Sequence, residues 1–379
     1  MERATDSERA QLADLFVRLC EIPSPTGDEA AMAAAVRAEL ESMGLAVEED
    51  DTDAETGAGA GNLLARIPPP EAGARTMLVC AHIDTVPQTA PIEVDRSEGL
   101  FRNRNDAILG ADNKAAVAVF LQAARRWTAR RPPVGIELLF TTSEETGLRG
   151  AKAFDRNRLT ADFGYVYDHA SAIGGLVVAA PTHYAVTADF LGRAAHAGIR
   201  PEAGRNAIVA AAQAIGRIPS GRVDPETTVN VGVIQGGTAG NVVAERCRVE
   251  IEVRSLDDKK ASDLVSTVVD ACTWAASATE TDVDSHVEEH FRAYRIPEGH
   301  PCVEVAAGAL RDCGIEPVLH PTGGGSDASV FEDRGLRCLN VANGTEANHT
   351  SDERVTAQAL EKMLDVTFRL AERAGAETA

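Results

Sequence analysis

Apolar positions along this chain alternate between helical spacing and short unbroken runs, and their order predicts an α/β core interrupted once. Leu12, Phe16 and Leu19 recur at helical intervals behind Thr5 and Glu8, which have the spacing of a capping box. Thr26 and Glu29 repeat that spacing ahead of an Ala-rich helix that stops at Gly44. Short strands follow around Ala46–Glu49 and Asn62–Ile67, and the run Thr76–Cys80 reads as a buried strand. Ala115–Arg126 has the pattern of an amphipathic helix, Pro132 and Pro133 break the chain, and Val134–Phe140 and Gly164–Tyr167 are further buried strands. The stretch Gly57–Asn62 imitates a dinucleotide-binding loop, but its third glycine is out of register and a strand follows it, so it reads as a flexible connection.

From His183 the pattern changes to strand, helix, strand, strand, helix, strand: Tyr184–Leu191, Arg205–Ile218, Thr228–Ile234, Cys247–Arg254, Asp258–Ala276 and Val283–Tyr294. Val249, Ile251 and Val253 alternate with Arg248, Glu250, Glu252 and Arg254, as expected of a sheet covered on one face only. This βαββαβ order is that of a ferredoxin-like domain. A helix over Pro301–Cys313, a short helix after Asp327, a strand over Arg337–Val341 and a closing helix over Thr356–Ala371 then resume the first pattern. The fold expected is therefore a mixed-sheet α/β domain in two parts, residues 1–182 and 296–379, with a ferredoxin-like α+β domain inserted at 183–295.

Composition narrows the function. A net charge of −21 over 379 residues argues against a general electrostatic footprint on nucleic acid or anionic membrane. No apolar run approaches membrane-spanning length, and Met1–Asp6 opens with charge instead of the core of a signal peptide. The seven cysteines are scattered without a C-x-x-C pair, so neither a disulfide framework nor a thiolate zinc site is expected, and a cytoplasmic location is.

The polar residues at the predicted strand ends carry the chemistry. His82, Glu144, Glu145 and Asp168 each lie at the carboxyl end of a strand, the edge that forms the ligand crevice of an open α/β sheet, and Asp112 leads into a helix. Asp84, two residues from His82 on an extended backbone, points to the same side and can hold one ring nitrogen while the other faces a metal. With His349, two imidazoles and three carboxylates suffice for two divalent cations if one carboxylate bridges. The adjacent pair Glu144-Glu145 divides into one general base and one ligand, because neighbours on an extended backbone do not both reach one ion.

His82-x-Asp84, Gly110-Ala111-Asp112-Asn113-Lys114, Glu144-Glu145-x-Gly147, Asp168 and His349-Thr350, in this order, resemble the co-catalytic dizinc exopeptidase family that includes peptidase T, carboxypeptidase G and acetylornithine deacetylase. Gly323-Gly324-Gly325-Ser326-Asp327 and His349-Thr350-Ser351-Asp352-Glu353 resemble the peptidase T-like branch in particular. The resemblance implies that His82 and Asp168 bind one metal, that His349 and Glu145 bind the other, and that Asp112 bridges them. Asp84 then orients His82, and Glu144 serves as general base and acid. It further implies a cis peptide at Asp112-Asn113, an oxyanion-stabilising His196 within Gly192–Gly198, and substrate contacts from Asn241, Arg254, Gly324 and Gly325.

The function expected is hydrolysis of an amide bond in short peptides, by a peptidase T-like aminopeptidase acting through a metal-bound hydroxide. The cofactors are two divalent ions, zinc first, with cobalt or manganese fitting the same ligands. The alternatives are a deacylase or carboxypeptidase acting on N-acylated amino acids, or a catalytically silent metal-binding protein on the same scaffold. The half-exposed inserted sheet allows a homodimer through that domain.

Overall fold

In the computed structural model, which describes residues 3–376, the strand Thr76–His82 sits at the centre of a nine-stranded mixed sheet. It pairs in parallel with Gly135–Thr141 on one side and Phe163–His169 on the other, and Cys338–Ala342 adds a fourth parallel strand beside Phe163–His169. All but the first residue of Thr76–His82 and all of Gly135–Thr141 are buried, which is why both read as unbroken apolar runs. The register places His82 opposite Thr141 and Cys80 opposite Val166, so the carboxyl ends of these strands fall level with one another. Antiparallel strands extend both edges, Leu63–Ile67 and Val47–Glu49 on one and Gly175–Ala180 on the other.

Helix Ala111–Ala129 packs on this sheet and is covered in turn by Asp6–Cys20 and Ala357–Ala376. Ala115–Ala124 is buried throughout, so the helix expected to be amphipathic is central instead. Its polar residues have found partners: Gln122 Nε2 donates to Gln11 Oε1 at 3.3 Å, and Lys114 Nζ to the Ile22 carbonyl at 2.6 Å. The capping box expected at Thr5 and Glu8 is present at the start of Asp6–Cys20.

The chain divides into two compact units. The first takes in the chain up to Val178, Arg295–Pro321 and the chain from Ser326 on; the second is Ala179–Tyr294 with Thr322–Gly325. The short segment joins the second unit for a physical reason. A Cβ at Gly325 would lie 2.5 Å from the Phe291 ring, and Arg254 Nη1 donates to the Gly323 carbonyl at 2.9 Å.

The second unit is a five-stranded antiparallel sheet in the order Gly221–Asp224, Thr227–Gly236, Arg246–Ser255, Thr182–Leu191, Asp282–Phe291. Helices Ala207–Ile215 and Asp258–Ala278 pack against it. Its core joins Val186, Ala188, Phe190, Val249, Ile251 and Val253 to the small buried residues of the helices. Gly221–Asp224 is one strand more than the βαββαβ pattern predicts. All seven cysteines are free thiols, and no helix among the described residues is long and apolar enough to cross a membrane.

Candidate metal centre

Level strand ends bring the predicted ligands to one place. His82 closes its strand, Glu144 and Glu145 follow Gly135–Thr141 in a turn, and Asp168 is the penultimate residue of Phe163–His169. Asp112 lies in the first turn of Ala111–Ala129, behind Gly110 at φ 72°, and the Asp112-Asn113 peptide is cis, as the resemblance implied. His349 arrives from a turn near the end of the chain, at φ 65°.

Asp112 faces both imidazoles, with Oδ1 3.4 Å from His82 Nε2 and Oδ2 3.4 Å from His349 Nε2. Asp168 Oδ1 lies 3.5 Å from His82 Nε2, and Glu145 Oε1 lies 3.1 Å from His349 Nε2. Ligand atoms of His82, Glu144 and Asp168 lie within 4.8 Å of one another, as do those of His82, Asp112 and Glu145.

Buried carboxylates hold these groups from behind. The Asp84 carbonyl and Oδ1 lie 3.0 and 3.3 Å from His82 Nδ1, which leaves Nε2 facing the site. Asp84 Oδ1 also accepts the Glu144 N–H at 3.0 Å, and Oδ2 accepts the Glu145 N–H at 3.2 Å and the Thr26 hydroxyl at 2.7 Å. Thr26 and Glu29 form no capping box. Helix Ala30–Ser42 starts without a side-chain cap, and Glu29 instead accepts from the N–H and hydroxyl of Ser143, whose φ of 52° starts the Glu144-Glu145 turn. The Asp168 N–H donates to Asn340 Oδ1 at 3.1 Å, and Asn348 Nδ2 donates to Asp112 Oδ2 at 2.8 Å. Glu353 accepts from the backbone N–H groups of Leu109, Gly110 and Asp112, each at 2.8 Å. Glu29, Asn340, Asn348 and Glu353 were not among the predicted site residues. Only Glu353 carried a signal, its place at the end of the His349–Glu353 motif.

The electrostatics call for cations. Asp112 and Glu145 raise the His349 imidazole to about 10. Burial opposes charge on His82, yet Asp112, Asp168 and Asp84 together raise it well above the ordinary value. Burial pushes Asp168 up to about 7, and burial with the Asp168 charge raises Glu144 well above the carboxylate range. Burial first, and then like charge, keeps protons on these two carboxylates, while the neighbouring carboxylates keep them on the imidazoles. Asp112 Oδ1 is buried with no hydrogen-bond donor among the described residues, although it faces the His82 ring. A nitrogen and carboxylate set with an unsatisfied central oxygen fits divalent metal ions of the zinc type.

The remaining predicted residues lie in the second unit. His196 is exposed in a loop, its Nδ1 accepting the Gly198 N–H at 3.2 Å, and exposed Asn241 accepts the Ala197 N–H through its carbonyl at 2.9 Å. Arg254 pairs with Glu252 at 3.1 Å and keeps a buried Nε without a hydrogen-bond partner. Gly324 has only the Thr322 hydroxyl near the place of a Cβ, at 4.0 Å, whereas the space at Gly325 is filled by Phe291.

The chain is similar to known peptidases in sequence and fold. The family model described as the peptidase dimerisation domain matches residues 182–280, and that of peptidase family M28 matches residues 62–173. The crystal structure of aminopeptidase PepT from Bacillus cereus is 37% identical, with a TM-score of 0.89 over 97% of this chain and 98% of that one. A tripeptidase from Staphylococcus aureus is 30% identical, with a TM-score of 0.93 over 97% and 99%. Peptidase T of Escherichia fergusonii is 28% identical over 70% of this chain and 65% of its own length. The chain therefore belongs to the dizinc exopeptidase family, close to peptidase T, and is a metal-dependent peptide hydrolase.

Proposed function

We propose that this enzyme is an aminopeptidase acting on short peptides, with two divalent ions, zinc first, held at the carboxyl edge of the sheet. His82 and Asp168 would hold one ion, His349 and Glu145 the other, and Asp112 both. The observation that carries this reading is Asp112 itself, whose two oxygens face two different imidazoles at 3.4 Å each. Ions bound there supply Lewis acidity toward a carbonyl oxygen and lower the pKa of water. Glu144 is the proton carrier: it lies beside His82 and Asp168, outside the group formed by His82, Asp112 and Glu145, and its turn is fixed by Asp84. It takes a proton from the attacking water and returns it to the leaving amine. Asp84 orients His82.

His196 is assigned to the developing oxyanion, and Asn241, Arg254 and Gly324 to the substrate's polar groups, on the strength of the resemblance and, for Arg254, its unpartnered Nε. Gly325 is assigned to packing against Phe291. The second unit is assigned to homodimerisation, supported by the family match at 182–280 and by the exposed Ile199, Val233 and Ile234. The seven free thiols suit a reducing compartment, and we place the enzyme in the cytoplasm.

The test is a panel of di- and tripeptides beside N-acetyl and N-succinyl amino acids. Peptides should lose their N-terminal residue and acyl amino acids should survive. Turnover of acyl amino acids alone would establish a deacylase instead, and no turnover of any amide a silent binding protein. Glu144→Gln should lower kcat by about 10²–10⁴-fold with both metals still bound; activity surviving that change would remove Glu144 from its role.

A further inference from the structure

Glu353 stands at the end of the turn that carries His349, and the residue is 2% exposed. Its carboxylate gathers the N–H groups of Leu109, Gly110 and Asp112 at 2.8 Å each, across more than 240 residues of sequence. Asp112 and Asn113 hold non-helical backbone angles, so all three N–H groups lie in the irregular stretch that precedes the regular helix and have no helical partner. Leu109, Gly110 and Asp112 are buried, so Glu353 is what satisfies these groups. The same turn is closed on itself: the Thr350 hydroxyl donates to the Ala347 carbonyl at 2.7 Å, and the N–H groups of Asp352 and Glu353 return to Thr350 at 3.2 Å each. Ala347 and His349 hold φ values of 55° and 65°, a conformation that persists for non-glycine residues where surrounding bonds over-determine it. Immediately afterwards Arg354–Thr356 pairs with Leu100–Asn103, which fixes the base of the turn.

We propose that Glu353 is a positioning residue that couples the His349 half of the metal centre to Asp112. One carboxylate sets the backbone of the bridging aspartate and, through the closed turn, the place of the most distant ligand. His82 and Asp168 stand on parallel strands and do not depend on it. The proposal rests on the two-ion reading above, and its consequence is unequal: removing the anchor loosens the ion at His349 and Glu145 more than the ion at His82 and Asp168, which shares only Asp112 with the anchored turn.

The experiment is titration of the metal-free full-length protein with Co(II), followed by calorimetry and visible absorbance. Wild type should take up two ions. Glu353→Gln should bind the first within about threefold of wild type and the second at least about tenfold more weakly, as loss of a residue supporting a ligand does. Hydrolysis by the variant should recover in excess Co(II), and Glu353→Asp, which keeps the charge on a shorter stem, should fall between. If Glu353→Gln does not give a cooperative melt, Glu353→Asp carries the test on the same readouts. Two ions on wild type with both affinities unchanged in the variant would overturn the coupling alone. Equal weakening of both ions would also overturn it, since Glu353 would then only support the fold. Fewer than two ions on wild type would overturn the two-ion reading and this proposal together.

Discussion

Every buried Asp, Glu and Lys among the described residues lies in the first unit, Glu29, Asp84, Asp112, Lys114, Asp327 and Glu353 among them. The second unit is filled by Val, Ala, Ile and Phe side chains, and its buried polar residues are Thr182, His183, Thr227 and Ser255. Burying charge opposes folding unless each charge is paired and hydrogen-bonded. In the first unit the pairing is made largely with backbone N–H groups of the turns that carry the ligands, so the groups that shape the site also weaken the unit when it lacks cations. The second unit has an ordinary apolar core and no such dependence.

Metal removal tests this contrast most severely. Exhaustive chelation should stop hydrolysis altogether and lower the melting temperature of the first unit while leaving the second unchanged. Saturation at a thousand times Kd stabilises the metal-binding state by about 4 kcal/mol per ion. Hydrogen exchange resolved by segment, with and without Zn(II), separates the two units; equal loss of protection in both would break the contrast.

The opposite perturbation should act only on the second unit. Phe190 is 0% exposed in its core. Phe190→Ala should destabilise that unit by about 3–5 kcal/mol through lost burial and the cavity left behind. Metal uptake by the first unit should be unchanged, which calorimetric titration would check. A variant that lost both metals would contradict the independence of the two cores.

Much of the site is legible in the chain because the ligands follow elements of recognisable period. His82, Glu144, Glu145 and Asp168 each close an apolar run, and in an α/β sheet a strand end is also a position in the crevice. His349 has no such context; it sits in a turn at positive φ, and only its motif marked it. Glu29 and Asn348 were illegible for a different reason, and for Glu353 the motif marked the place without the role. Glu29 and Glu353 act chiefly on backbone N–H groups, which every residue but proline offers alike, so no side-chain pattern marks the partner. Thr26 and Glu29 even carried a misleading local signal, because capping-box spacing does not reveal that Asp84 and Ser143 compete for the same side chains. The central helix misled similarly: Lys114 and Gln122 mimic a polar face, yet both are buried against distant partners.

A smaller effect should appear in the pH dependence of the metal-free protein. Burial raises Glu29 from 4.5 to about 7 and Asp327 from 3.8 to about 6. Between the unfolded and folded values the native state binds protons that the unfolded state has released, so stability falls as pH rises through this window. Denaturation midpoints of the first unit should therefore decline from pH 4.5 to about 7, and Glu29→Gln should flatten part of that slope. The second unit should show no matching trend. A slope unchanged by the substitution would place the proton uptake elsewhere.

The smallest expected effect has the opposite sign and sits at the edge of the first unit. Glu8 accepts from Arg126 Nε at 2.7 Å, and this pairing lowers its carboxyl from 4.5 to about 2. A folded value below the unfolded one means stability that is complete above pH 4.5 and is lost as pH falls toward 2. Glu8→Gln isolates this contribution, since Gln still accepts the Thr5 N–H in a capping box and Arg126 still lies over the Phe368 ring, 3.5 Å from its centroid. The variant should be less stable than wild type by roughly 0.5–1 kcal/mol at neutral pH, as measured for partly exposed ion pairs, with the difference vanishing in acid. The second unit supplies the control, because Lys259 and Asp263 form a 2.6 Å pair on an exposed helix face. Asp263→Asn should change nothing measurable, because solvent screens that pair. A loss equal to that of Glu8→Gln would mean that burial beside Arg126 adds nothing to the ion pair.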